Sequence, residues 1–296
     1  MPDMTSGFES LVEKAPYGLS ERLSPLVRRV LARNPSPFTF TGTGTYIVGQ
    51  ATVAVIDPGP DDPKHLSALK AAVAGERVSH ILVTHTHLDH SPAAVPLAAA
   101  TGAPVVGCTQ LVLADDGPRA DAGFDPGYAP DRVLTDGESV SGGGWTLTAV
   151  HTPGHTSNHL CFSLEEEKAL FTGDHVMGWS TTVVAPPDGD MAAYMASLEK
   201  LLRRDDRVYY PTHGAPVAEP QRWTRHLIAH RRQREAQILA LLAGGPQEIP
   251  KMVERMYQGV DRRLWPAAGR SVLAHLIDLS ARARVQSIGD SWMLAA

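Results

Sequence analysis

The sequence predicts an α/β protein built in two parts. Residues 45–107 alternate short apolar runs with amphipathic stretches, a β-α-β-α rhythm. Residues 138–174 read as consecutive strands. Residues 219–296 turn helical and basic, with a terminal hairpin. A chain of 296 residues accommodates one large domain and a small one, here 1–218 and 219–296. Charge divides at the same point. Residues 1–218 hold 15 Lys and Arg against 25 Asp and Glu, whereas residues 219–296 hold 12 against 7.

Composition excludes several classes. Hydrophobic residues make up 43% and charged residues 20%, ordinary for a globular protein. No uninterrupted apolar run reaches the length of a membrane span. The first thirty residues are interrupted by charges and lack the apolar centre of a secretory signal, so a cytoplasmic location is expected. Two cysteines, Cys108 and Cys161, make no disulfide framework and are expected to be buried thiols.

The elements follow in order. Residues 1–36 form a polar lead-in, in which Leu23, Leu26, Val27, Val30 and Leu31 suggest a short helix. Thr45–Val48 and Thr52–Asp57 read as paired strands across a Gly49-Gln50 turn. Asp57-Pro58-Gly59-Pro60 closes the hairpin, and Asp57 is either turn chemistry or a support for the site. Pro63–Val73 is an amphipathic helix, 79–84 a strand, Pro92–Thr101 an alanine-rich helix capped by Ser91, and Pro104–Gly107 a strand. Residues 114–131, dominated by Asp, Gly and Pro, read as an insertion or loop. Strands over 145–151, 159–164 and 169–172 follow, then a helix over 191–204 and a strand at 208–210.

The chemistry gathers at strand ends. Thr84-His85-Thr86-His87-Leu88-Asp89-His90 places three imidazoles and a carboxylate between a strand and a helix. Neutral imidazole suits zinc, and a carboxylate helps hold a second divalent ion. Later strand ends present His155 after Gly154, Asp174 after Gly173, and His213 before Gly214. Ligand-type residues thus follow four separate strands, which points to a metal centre.

Those four motifs, THTHLDH, GHT, GD and HG in this order over roughly residues 38–218, resemble the metallo-β-lactamase superfamily. The resemblance implies a four-layer αβ/βα sandwich with a dinuclear site along one edge of its two sheets. It implies His85, His87 and His155 as ligands of a first ion and Asp89, His90 and His213 as ligands of a second, with Asp174 bridging. Asp57 resembles the superfamily's first-motif aspartate beneath the site, and Asp89 is also expected to orient the nucleophile. His175, next to Asp174, is a further candidate for a supporting role, while His151 and His159 flank His155 and are candidates to line the site. The expected cofactors are two Zn2+, with iron or manganese also compatible with His/Asp ligands. They would share a hydroxide, because binding drops the pKa of water from about 15.7 toward 7.

The stretches 34–46 and 173–183 resemble the β-lactamase-like protein 2 branch, although His175 departs from the residue expected there. Three helices, at 219–243, 249–257 and 267–283, and a hairpin at 285–294 turning at Gly289-Asp290 match that branch's C-terminal winged helix. The resemblance implies single-stranded RNA cleavage, with Arg262, Arg263, Arg270, Arg282 and Arg284 as candidate phosphate contacts. Against it stands a tail that only shapes the pocket. The alternatives are hydrolysis of a small thioester or other carbonyl substrate, as in the glyoxalase II-like branch, and a nucleic-acid-binding regulator with a metal site. Nothing in the sequence fixes the oligomeric state.

Overall fold

The computed structural model describes residues 4–111, 113 and 123–295. A first sheet has seven strands in the order β1 (Ser20–Arg22), β2 (Val27–Leu31), β3 (Gly44–Gln50), β4 (Thr52–Ile56), β5 (Arg77–Val83), β6 (Val105–Gly107) and β7 (Arg132–Val133). It is antiparallel up to β4 and parallel from β4 to β7. The parallel half requires crossovers, supplied by α2 (Pro63–Ala72) and α3 (Ala94–Thr101). A second sheet runs β8 (Ser139–Gly142), β9 (Trp145–His151), β10 (Leu160–Leu164), β11 (Ala169–Gly173) and β12 (Val208–Pro211). The last pair, β11 and β12, is parallel, joined across α4 (Met191–Leu201).

The two sheets share one core. Tyr46, Val48, Ala54 and Ile56 of the first sheet join Trp145, Leu147, Phe162 and Phe171 of the second. Leu69 of α2 and Leu97 of α3 close the far side of the first sheet. The other face of the second sheet, with Val150, Cys161, Leu170 and Tyr209, packs on Tyr194 and Leu198 of α4. The order is therefore helix, sheet, sheet, helix, the four-layer arrangement expected. Both cysteines are buried and unpaired.

The C-terminal part comprises α5 (Pro220–Ala243), α6 (Ile249–Met256), α7 (Trp265–Ala281) and a small sheet ordered β13 (Gln247–Glu248), β15 (Ser291–Leu294), β14 (Val285–Ile288). It has its own core of Ile238, Met252, Val253, Val272, Leu276 and Val285. The hairpin turns where expected, with Gly289 at φ +55. The division at 218/219 falls at the start of α5. The first half of that helix, through Leu227 and Ile228, belongs to the core of α4, and its second half to the winged-helix core. α5 thus welds the two parts together. Among the described residues no helix is long and apolar enough to cross a membrane.

Some expectations fail. The short helix around Leu23–Leu31 is the strand β2, which pairs with β3 along its whole length, and the lead-in instead carries a helix, α1 (Met4–Lys14). Sheet pairing overrides a helical spacing of apolar residues that is only five residues deep in β-branched and leucine side chains. The first hairpin turns one residue later than expected, with Ala51 at φ +59. Ser91 does not cap α3; its hydroxyl donates to Asp125 (2.9 Å), and the helix starts at Ala94 behind Ala93. Of the expected loop 114–131, residues 114–122 lie outside the described residues. Residues 123–125 strap the histidine loop: Leu88 N–H donates to Gly123 O (2.9 Å) and Asp125 N–H to Thr86 O (2.7 Å).

Candidate metal centre

The edge where β5, β9, β11 and β12 end brings the four motifs together. After β5 the chain makes a tight turn, with His90 N–H donating to His87 O (2.9 Å). This turns His85 and His87 to one side and Asp89 and His90 to the other. His155 follows Gly154, which is pressed against α4. A Cβ on Gly154 would lie 2.3 Å from Tyr194 Cα, and the residue holds φ +134. Gly154→Ala is therefore expected to destabilise the protein by about 2–4 kcal/mol and displace His155. Thermal unfolding checks this, with Gly143→Ala, where a Cβ meets nothing within 4 Å, as the near-neutral control.

Three ring nitrogens converge in the first set. His87 Nδ1 lies 3.0 Å from His85 Nε2 and 3.1 Å from His155 Nε2. In the second set, His213 Nε2 is 3.1 Å from Asp89 Oδ2 and 3.4 Å from Asp174 Oδ1. His90 Nε2 is 3.6 Å and 3.5 Å from the same two oxygens. Asp174 faces both sets: Oδ2 lies 3.8 Å from His155 Nε2, while Oδ1 faces His90 and His213. Three groups with ligand atoms mutually within 4.8 Å result: His85, His87 and His155; His85, His90 and Asp174; Asp89, His90 and His213.

The tautomers are set from behind. His155 Nδ1 donates to Val183 O (2.7 Å), His213 Nδ1 to Gly42 O (3.2 Å), and His90 Nδ1 to Asp57 Oδ2 (2.9 Å). His85 Nδ1 lies 3.0 Å from Thr84 Oγ1, which itself donates to Asp57 Oδ2 (2.8 Å). Each of these four rings thus points Nε2 at the cluster. Among the described residues, His90 Nε2 and Asp174 Oδ1 are buried with no hydrogen-bond partner, the signature of atoms awaiting a cation. The donor set, imidazole and carboxylate only, fits two zinc-sized ions.

Electrostatics agree with that fit. Burial, reinforced by the neighbouring imidazoles, holds His85 and His87 well below the ordinary histidine range, so both stay neutral. Burial also acts to lower His213 and His90, but the Asp89 and Asp174 carboxylates outweigh it. His213 is pushed up to about 10 and His90 well above its usual value. Burial works against the Asp89 carboxylate too, yet His90 and His213 bring it down to about 2. Without cations, both rings therefore favour their protonated forms beside the two aspartates, and cation binding would displace those protons. Zinc uptake at pH 7 is expected to release roughly two protons and to strengthen as pH rises. Calorimetric titration in buffers of different ionisation enthalpy counts them, and zero release would show neutral rings beforehand.

Asp57 lies directly beneath both sets, 1% exposed, and accepts from Thr84 N–H, Thr84 Oγ1, His90 Nδ1 and Thr212 Oγ1. His175 does not join it. Its ring packs edge-on against Tyr194, centroids 5.0 Å apart, and neither nitrogen has a hydrogen-bond partner among the described residues. The supporting histidine is His159 instead. Its ring centroid lies 5.2 Å from that of His85, its Nε2 accepts from Asp174 N–H (3.3 Å), and its Nδ1 meets Thr152 Oγ1. The alternation of β10 carries the signal: His159 leads the strand inward, whereas His175 comes after a tight turn at Thr172. His151 is exposed and meets Ser157 O, outside the site.

Above the cluster opens a cavity of about 300 Å³. Its floor is His87, Asp89, His155, Asp174 and His213; its far wall is Tyr257, Val260, Leu264, Ala267 and Ala268 of the C-terminal part. The five candidate phosphate contacts stand elsewhere. Arg263 pairs with Asp261 and Arg282 with Glu235 and Asp278, while Arg262 lies over Trp265. Arg262 and Arg263 precede the 17-residue α7 and Arg282 and Arg284 follow it, a separation of about 25 Å. Arg270 stands half-buried between them.

This combination of sandwich, motif set and appended module is that of a hydrolase family. Residues 39–213 match the metallo-beta-lactamase superfamily and residues 249–292 the beta-lactamase associated winged helix domain, and the chain belongs to that superfamily. It is similar to the atrochrysone carboxyl ACP thioesterases of Claviceps purpurea (33% identity, covering 79% of this chain and 70% of the relative) and Aspergillus fumigatus (35%, 74% and 66%). The chain thus spans about two thirds of those relatives. The lactamase-like protein adaB of Aspergillus niger is 30% identical over 86% of this chain and 80% of its own. In fold it is similar to a metallo-beta-lactamase family protein from Thermus thermophilus (TM-score 0.76, 24% identity, covering 92% of this chain and 100% of that one). A beta-lactamase domain protein from Burkholderia ambifaria gives 0.79 at 20% identity, covering 95% and 94%.

Proposed function

We propose that this hydrolase is a dinuclear zinc thioesterase acting on a small acyl thioester. The observation that carries the reading is the cavity. The winged-helix part closes over the cluster and leaves about 300 Å³, room for an acyl group or the end of an acyl chain. Relatives named as acyl carrier protein thioesterases support the same chemistry. Residues 1–218 form the catalytic part and residues 219–296 the pocket wall.

His85, His87 and His155 would hold one ion, Asp89, His90 and His213 the other, with Asp174 between them. Bound there, zinc would polarise a carbonyl oxygen and bring the pKa of water from about 15.7 toward 7. Asp89, ionised and half-facing the cavity, would orient the attacking water. The leaving thiol, with a pKa of about 8.5, departs as a thiolate without a dedicated acid. RNA phosphodiester cleavage is the second reading; the arginines spread along α7 give it no convergent phosphate track.

The test compares zinc-loaded protein on a short acyl N-acetylcysteamine thioester and on labelled single-stranded RNA, with His87→Ala as the contamination control. Thioester turnover that the variant loses is the expected result. RNA cleavage lost in the variant, without thioester turnover, would sink the reading.

A further inference from the structure

Two arginines that line the cavity form no ion pair among the described residues. Arg231 and Arg234 stand three residues apart on α5 and both line the pocket that holds the metal cluster. Arg231 is 3% exposed; its Nη2 donates to Thr182 O, and its guanidinium stacks 5.2 Å from the Tyr194 ring. Arg234 lies 4.3 Å over the Tyr257 ring and donates from Nη1 to Met256 O (2.9 Å) and Gln237 Oε1 (3.0 Å). Its Nε is buried and unpartnered.

Neither guanidinium forms an ion pair with any described carboxylate, whereas Arg28, Arg29, Arg204 and Arg282 all do. Burying a guanidinium such as that of Arg231 without an anion beside it is unfavourable. The stacking on Tyr194 and Tyr257 fixes both forks but leaves donors unused. The adjacent imidazoles add no charge. Burial first, and then the arginine charges, hold His230 at about 4 and burial with the same charges holds His275 at about 3.

We propose that Arg231 and Arg234 form an anion subsite in the wall of the pocket that holds the metal cluster. The preferred thioester then carries a second negative group, held at α5 while its carbonyl reaches the cluster. That group is either a carboxylate on the acyl chain or the phosphate of a pantetheine thiol arm. Either offers the planar or multidentate oxygens a guanidinium fork takes. The inference rests on the thioester reading for the substrate's reactive end.

Non-hydrolysable thioethers test the subsite by binding alone. The probes are S-hexyl N-acetylcysteamine, its counterpart with a terminal carboxylate, and S-hexyl pantetheine 4′-phosphate, each titrated calorimetrically into the zinc-loaded protein. One anionic probe is expected to bind at least about tenfold tighter than the neutral one, the worth of a charge-assisted hydrogen bond. Which one does so locates the anion. Arg234→Met should reduce that advantage to within about twofold, and Arg231→Lys, which keeps the charge but loses the planar fork, should reduce it in part. Equal binding of all three probes, or an advantage that survives both variants, would overturn the subsite. Wild-type turnover of the matching thioesters is scored separately. Its absence sinks the thioester reading even where arginine-dependent anion binding stands.

Discussion

Asp174→Asn is expected to leave a folded protein whose thioester turnover has fallen about a thousandfold or more. Asp174 is the one residue whose two oxygens address both halves of the cluster, Oδ2 toward His155 and Oδ1 toward His90 and His213. Asparagine keeps the shape but replaces one anionic oxygen with an amide that cannot ligate. The backbone of residue 174 stays anchored, because its N–H still donates to His159 Nε2. The loss should therefore appear in metal content and kcat rather than in unfolding temperature. A second readout separates charge from shape. Asp174 is among the carboxylates that hold His90 and His213 above their usual range. Removing it lowers both, so the apo protein binds fewer protons near neutrality and zinc uptake releases fewer. Full activity in the variant, or unchanged proton release, would show that the carboxylate does not bridge.

Much of this centre is legible in the sequence because its candidate ligands sit in short, locally closed motifs. His85, His87, Asp89 and His90 share one loop, and the strand ends before His155, Asp174 and His213 are marked by glycine and by alternating apolar residues. What decides the rest is direction, which alternation alone does not carry across a turn. His159 and His175 both lie near ligands in the chain, yet one ring faces His85 and the other faces Tyr194. Strand β2 hides behind a spacing that also suits a helix, and only its pairing with β3 resolves it. The basic tail misleads for a related reason. Net charge counts Arg263 and Arg282 although neighbouring carboxylates already engage them. The arginines that matter to the pocket, Arg231 and Arg234, look in sequence like the polar face of an amphipathic helix. The fold of α5 across the two cores is what turns them inward.

Asp57→Ala should lose zinc affinity by about ten- to a hundredfold and also cost several kcal/mol of stability, whereas Asp57→Asn should lose mainly affinity. Asp57 touches no reacting group. It is 1% exposed, holds φ +48, and accepts four hydrogen bonds from three residues of two segments, the loop after β5 and the end of β12. Alanine leaves Thr84 N–H and the His90 ring N–H buried without acceptors, at about 1–3 kcal/mol each. It also strains a positive φ that asparagine tolerates. Asparagine retains one oxygen, and Thr84 N–H can keep it. His90 Nδ1 then loses its carboxylate, so the ring is free to rotate and its Nε2 no longer points at Asp89 and Asp174. The two variants thus separate the two jobs of one residue: chemical denaturation reports the fold, and competitive zinc titration reports the aim of His90. Equal stability and equal affinity across wild type, alanine and asparagine would show that the histidine loop holds its shape without the carboxylate beneath it. The ligand geometry would then be set by the strap at Gly123–Asp125 and the turn at His87–Ser91 alone.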